Sequence, residues 1–166
     1  MIDFRVGLGY DSHRLIKKDD NDSKPFVLAG IEIPHYKRCV AHSDGDVLLH
    51  SLCDALLGAA ALRDIGTHFP DTDPKYKNID SQILTREVVE MVTNNRWKIN
   101  NIDITIIAEK PKMAPYIEPM IQNLSLILNI KPERISIKAK TNEKLDAVGQ
   151  EEAIIVHSIV SIIKPE

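Results

Sequence analysis

The chain is poor in aromatic residues: Phe, Trp and Tyr make up 5% of its 166 residues. That argues against a surface built to stack nucleic-acid bases. Its charge excess is small, a net −3, and gives no reason to expect nucleic acid as a partner. Cysteine is scarce. Cys39 and Cys53 make no disulfide framework, so a reduced, cytoplasmic setting is the simplest expectation. Unbroken apolar runs fall far short of the roughly 18 residues a membrane span needs, so no membrane partner is expected. Met1 runs straight into a strand-like segment, with no apolar signal core and no Arg/Ser-rich transit segment. No repeat, low-complexity tract or linker divides the chain, and residues 1–166 are expected to form a single domain.

What is present is ordinary globular composition, 43% hydrophobic and 27% charged, with its chemistry concentrated in one stretch. Ala41 to Pro74 reads AHSDGDVLLHSLCDALLGAAALRDIGTHFPDTDP. Val47, Leu48, Leu52, Leu56 and Ala59 recur at helical spacing, which predicts a helix with one apolar face. Ser43 or Asp44 is the expected N-cap. Asp46, His50 and Asp54 fall four apart, one above another on that helix. A carboxylate beside a histidine can orient the ring and free its other nitrogen for a metal. For His50 taken alone, a solvated helix face is the plainer reading.

Its partners lie near the N-terminus. Arg5 to Tyr10 reads as a strand interrupted by Gly7 and Gly9, and glycine in a strand often marks close approach by another backbone. The strand delivers Asp11 and His13 at its end, two residues apart and so pointing the same way. One carboxylate and one imidazole are half of a zinc site. His50 could supply a third ligand, leaving the fourth position open as in catalytic zinc centres.

Elsewhere, Lys17 to Lys24 reads as a solvated hairpin loop and Phe26 to Ile33 as a second strand ended by Pro34. His35 to Val40 would be a connection. Ser81 to Asn94, capped by Ser81, and Tyr116 to Leu128 have helical spacing; Trp97 to Ala108, Ile135 to Thr141 and Ala153 to Ile163 read as strands. His35 and His68 are expected on the surface, and His157 in a structural role. The Pro-, Thr- and acid-rich Thr67 to Pro74 is a loop that could close over a ligand. The order strand, strand, helix, helix, strand, helix, strand, strand predicts an α/β sandwich, one mixed sheet with helices on one face. The apolar face left over, carried by Ile104 to Ile107 and Ile154 to Val160, predicts a homo-oligomer.

Four segments, GLGYDSHRL, the long central stretch, IIAEKPKMAPYI and IKAKTNEKL, closely resemble those of the 2-C-methyl-D-erythritol 2,4-cyclodiphosphate synthase family. The resemblance implies a homotrimer with sheets around a threefold axis and active sites between subunits. It implies zinc on Asp11, His13 and His50. Asp11, Ser12, His13, His42, Ser43, Asp64, Ile65, Gly66, Phe69, Pro70, Asp71, Thr72 and Asp73 would surround the methylerythritol phosphate. Ala108, Glu109, Lys110, Pro111, Lys112, Met113 and Ala114, with Lys140, Thr141, Asn142 and Glu143, would hold the cytidine diphosphate from an adjacent subunit. Glu143 would carry a second divalent ion, Mg2+ or Mn2+. His42 and Thr141 match the positions that stabilise the transition state.

The implied reaction is attack of the substrate's own phosphate on its diphosphate bridge, releasing CMP, in the non-mevalonate route to isoprenoid precursors. Two other classes are compatible with these residues: a metal-dependent nucleotide-binding module without catalysis, and a zinc hydrolase using Asp46 or Asp64 as base. The chain departs from the family after Glu143. Asp146-Ala147 and Gly149-Gln150-Glu151-Glu152-Ala153 stand where relatives often have Gly-Phe and Gly-Arg-Gly-Glu-Gly. That departure argues against binding of an isoprenoid diphosphate on the trimer axis.

Overall fold

The computed structural model describes residues 3–19 and 24–164. Strand β1 (Asp3–Lys17) pairs antiparallel with β4 (Lys37–Cys39) on one side and β7 (Ala153–Lys164) on the other. Strand β5 (Lys98–Ile107) continues the sheet antiparallel to β7. Strand β6 (Ile135–Lys140) closes the edge parallel to β5. A parallel pair needs a crossover, and helix α4 (Ala114–Leu128) provides it. The sheet is mixed, with helices α1 (Val47–Ala59), α3 (Ser81–Asn94) and α4 on one face, as expected.

The inner layer follows from side-chain alternation. Gly7, Gly9, Ile102, Ile104, Ile106, Val156 and Val160 point at the helices and are buried. Helix α1 is the centre of the core: Val47, Leu48, Leu49, Leu52, Leu56 and Leu57 are each fully enclosed. Each such side chain contributes about 1.5–3 kcal/mol. The opposite sheet face is apolar and open, with Val6 at 56%, Leu8 at 66%, Tyr10 at 52% and Ile159 at 47% exposure. Among the described residues, no helix is long and apolar enough to cross a membrane.

Helix α1 crosses β1 with almost no gap. A Cβ on Gly7 would lie 2.0 Å from the carbonyl oxygen of Ala55, and one on Gly9 1.8 Å from that of Ser51. The two glycines therefore serve the close approach their spacing suggested. That approach brings His50, the residue before Ser51, against the side chains of Asp11 and His13 on β1.

Several boundaries differ from the sequence reading. Strand β1 continues to Lys17 because β4 pairs with Leu15 to Lys17, so Asp11 and His13 lie within the strand rather than at its end. The His35 to Val40 connection contains β4 itself. Phe26 to Ile33 is two short strands, β2 (Phe26–Leu28) and β3 (Ile31–Ile33), joined by a turn at Ala29 and Gly30 with φ of 51° and 74°. Asp46 accounts for that turn: its carboxylate accepts from the Ala29 N–H (3.0 Å) and the Gly30 N–H (2.7 Å). The expected Lys17 to Lys24 loop lies in part outside the described residues. Two short helices, α2 (Ile65–His68) and α5 (Asp146–Gly149), carried no helical signal long enough to read.

Capping also differs. Asp46, not Ser43 or Asp44, caps α1 by accepting from the Leu49 N–H at 3.0 Å. It is 0% exposed and faces the β2–β3 turn, so the aligned Asp46, His50 and Asp54 do not share one surface. Asp80, not Ser81, caps α3.

Candidate functional site

Asp11, His13 and His50 converge, each offering one ligand atom, with these atoms within 4.8 Å of one another. The His13 Nε2 lies 3.0 Å and the His50 Nδ1 3.2 Å from the same Asp11 Oδ2. Among the described residues this is the one group found that could hold a metal ion. The donor set fits zinc: two imidazole nitrogens and a carboxylate oxygen, with room for a fourth ligand on the cavity side.

The ligands are prepared by their surroundings. His13 Nδ1 lies 3.1 Å from the Gly45 carbonyl oxygen. A carbonyl only accepts, so Nδ1 carries the proton and the lone pair of Nε2 faces the site. Gly45 presents that carbonyl from a φ of 84°, and a Cβ there would press on Cys39 at 2.9 Å. Asp11 Oδ1 accepts from the Ser12 N–H at 2.8 Å, leaving Oδ2 for the ion. Burial raises the Asp11 pKa, but hydrogen bonds and charge from His13 and His50 bring it below the usual carboxylate range. His50 loses ease of protonation by burial, yet Asp11 outweighs this and holds its pKa above the ordinary value.

A cavity of about 400 Å³ opens beside this centre. Asp11, Ser12, His13, His42, Ser43, His50, Ile65, Gly66, Phe69 and Asp71 line it. Tyr76, Ile79 and Leu84 line it too, though no motif singled them out. The other expected residues of this half build the loop rather than the wall. Asp64 caps α2 through the Thr67 N–H at 2.8 Å, and Asp73 caps the 3-10 turn Pro74–Tyr76 through the Lys75 N–H at 2.9 Å. Pro70 and Thr72 are not among the lining residues. Asp54 fixes the loop from beneath, its Oδ1 accepting from the Ile65 N–H at 2.7 Å. His68 is half-buried rather than on the surface, its Nε2 2.8 Å from the Leu62 carbonyl oxygen. His35 is half-buried between Phe26 and Tyr36, and His157 packs on Tyr10.

A second cavity, about 330 Å³, is lined by Ala108, Glu109, Pro111, Lys112, Met113, Ala114, Lys140 and Thr141, with Ile117, Ile137 and Ala139. Its two loops are tied together: Glu109 Oε1 accepts from the backbone N–H groups of Asn142 (2.9 Å) and Lys144 (3.1 Å). Thr141 donates to Glu143 at 3.3 Å. Lys110 turns away to pair with Glu151 at 3.0 Å, which also accepts from the Tyr36 hydroxyl at 2.6 Å. Asn142 and Glu143 sit beyond the cavity lining. The two cavities share no residue, so within one chain His42 and Thr141 face different spaces.

Residues 4–163 match the model of the YgbB family. A protein named 2-C-methyl-D-erythritol 2,4-cyclodiphosphate synthase from Azotobacter vinelandii is 51% identical over 160 residues, covering 96% of this chain and 98% of that one. Its namesake from Ralstonia pickettii is 47% identical over 165 residues, covering 99% and 95%. Among solved structures, an IspF from Plasmodium falciparum in a CDP complex superposes with a TM-score of 0.85 at 35% identity, covering 98% of this chain and 97% of that one. A bifunctional IspDF from Campylobacter jejuni gives a TM-score of 0.93 at 38% identity; all of this chain is covered, but it spans 44% of that longer protein.

Proposed function

The chain belongs to the YgbB family, and on that premise we propose that it converts 4-diphosphocytidyl-2-C-methyl-D-erythritol 2-phosphate to 2-C-methyl-D-erythritol 2,4-cyclodiphosphate and CMP. In class it is a phosphorus–oxygen lyase of the non-mevalonate isoprenoid route, acting in the cytoplasm, where buried free thiols at Cys39 and Cys53 are at home. The observation that carries the reading is the convergence of Asp11, His13 and His50 at the wall of a cavity of about 400 Å³.

An oxygen of the substrate's 2-phosphate forms a bond to the diphosphate phosphorus on the erythritol side. The bond from that phosphorus to the bridging oxygen breaks, and CMP leaves with the electron pair. No protein nucleophile and no water enter the balance. The chain's task is to bend one flexible molecule until two phosphates meet, which is catalysis by positioning. Zinc on Asp11, His13 and His50, and Mg2+ or Mn2+ on Glu143, would supply Lewis-acid neutralisation of the two facing anions.

His42, Ser43, Ile65 and Gly66 would hold the methylerythritol phosphate, with Asp64 and Phe69 to Asp73 shaping the loop over it. Ala108 to Ala114 and Lys140 to Glu143 would hold the cytidine diphosphate. His42 and Thr141 would then donate to the reacting phosphates from opposite sides. Because these two residues face separate cavities, the reading requires a second copy of the chain. A homotrimer would supply that copy and bury the open face of Val6, Leu8, Tyr10 and Ile159.

The hydrolase reading loses its bases. Asp46 is wholly buried and occupied by three backbone donors, and Asp64 is engaged with Thr67. Product analysis by 31P NMR tests the proposal. Cyclic diphosphate with CMP is expected; a linear phosphate with CMP would support a hydrolase, and no turnover a binding module.

A further inference from the structure

The hydrogen bonds around His50 extend beyond its metal-facing side. Its Nε2 lies 3.0 Å from the Ser81 hydroxyl and 3.1 Å from that of Ser43. Ser81, fully buried at the start of α3, donates its one hydroxyl proton to Asp44 Oδ1 at 2.5 Å. The other Asp44 oxygen accepts from the Ser81 N–H at 2.9 Å. With its proton committed to a carboxylate, the Ser81 oxygen can only accept from His50. Ser43 is ambivalent: its oxygen accepts from the Gly45 N–H at 3.2 Å and can face the ring as donor or acceptor.

We propose that Ser81 and Asp44 are positioning residues of the metal centre, a two-residue relay that keeps a proton on His50 Nε2 and so presents the Nδ1 lone pair to the ion. The inference rests on the metal-site reading above and deepens it. It also pairs the two histidines. His13 has its tautomer set by a backbone carbonyl, and His50 by a carboxylate acting through a hydroxyl. Without the relay, the Asp11 carboxylate, 3.2 Å from Nδ1, would draw the ring proton to Nδ1 and block the ligand atom. Asp44→Asn breaks the chain: an amide nitrogen facing the Ser81 N–H sets donor against donor, and one facing the Ser81 hydroxyl makes that oxygen accept, turning its proton toward His50 Nε2. Ser81→Ala leaves Nε2 with Ser43 alone.

The test measures zinc affinity by competition with a chromophoric chelator for the wild type, Ser81→Ala and Asp44→Asn. Both variants are expected to bind about 10–100-fold more weakly, the usual effect of losing a group that orients a metal-bound histidine. A second readout needs no variant. In the zinc-loaded wild type, 15N–1H spectra of the His50 ring should show a slowly exchanging proton on Nε2 and the metal on Nδ1. In the metal-free variants the ring 15N shifts should report the proton moved from Nε2 to Nδ1, a change that loss of packing alone does not produce. Wild-type zinc affinity in folded variants, or metal on Nε2 in the wild type, overturns the relay. A wild type that binds no zinc overturns the metal-site reading itself, and the relay with it.

Discussion

The Cα of Gly9 faces the carbonyl oxygen of Ser51 so closely that a methyl group on Gly9 would stand 1.8 Å from it. The obstacle is helix backbone, which cannot swing aside as a side chain would. Gly9→Ala should therefore push α1 away from β1 and cost about 3 kcal/mol or more, beyond ordinary overpacking. Because His50 rides on that helix beside Ser51, zinc binding should weaken in the same variant. Urea unfolding and metal content measure both. Unchanged stability would mean that the crossing is looser than its geometry.

Protonation sets a second expectation. Burial opposes charging of His50, but Asp11 prevails and raises its pKa. Burial and the Asp44 charge push Asp46 up to about 6. In both, the native state holds its proton more tightly than the unfolded chain. The His50 contribution is complete below the unfolded value of about 6.5 and is lost as pH climbs through its higher native value. The Asp46 contribution falls between the unfolded carboxylate value and about 6. Chelator-treated protein should thus melt at a lower temperature near pH 8 than near pH 6. Zinc, which takes the deprotonated ring, should raise the melting temperature more at the higher pH. A metal-free melting temperature that rises over this range would contradict the coupling.

Glu143 is exposed, with φ of 50°, and accepts from the Thr141 hydroxyl at 3.3 Å. It is distant in sequence from Asp11, His13 and His50 and does not line their cavity. Glu143→Gln should raise the magnesium concentration needed for half-maximal turnover by about tenfold, the lower end for a weakened ligand shell, while zinc content stays at the wild-type level. Loss of zinc in this variant would mean that the two ion sites are misassigned.

The mixed sheet, the helical layer and the meeting of Asp11, His13 and His50 were legible because they rest on periodicity and on side chains that repeat a specific motif. Alternation marked β5 and β6, an apolar run marked β7, and Gly7 and Gly9 announced the helix crossing. What escaped depends on contacts between segments far apart in sequence. Asp46 looked like a surface acid because nothing local reveals that the Ala29–Gly30 turn would fold onto it. The edge strand β4 is three residues long, too short for a periodic signal, and it pairs with β1 from Leu15 to Lys17. Ser81 read as a helix cap, since its neighbours favour helix; its bonds to Asp44 and His50 span 37 and 31 residues. Tyr76, Ile79 and Leu84 reach the cavity from a loop and a helix whose packing no pattern encodes.

The most direct test co-expresses two differently tagged chains, one carrying His50→Ala and the other Thr141→Ala, and isolates hybrids by tandem purification. Each variant alone should be inactive, one lacking the metal half of the site and the other its nucleotide half. In a head-to-tail trimer containing both, one interface joins two intact halves, so hybrids should recover about one third of wild-type turnover. Hybrids as inactive as their parents would contradict a site assembled from the Asp11–His13–His50 cavity of one chain and the Thr141 cavity of another.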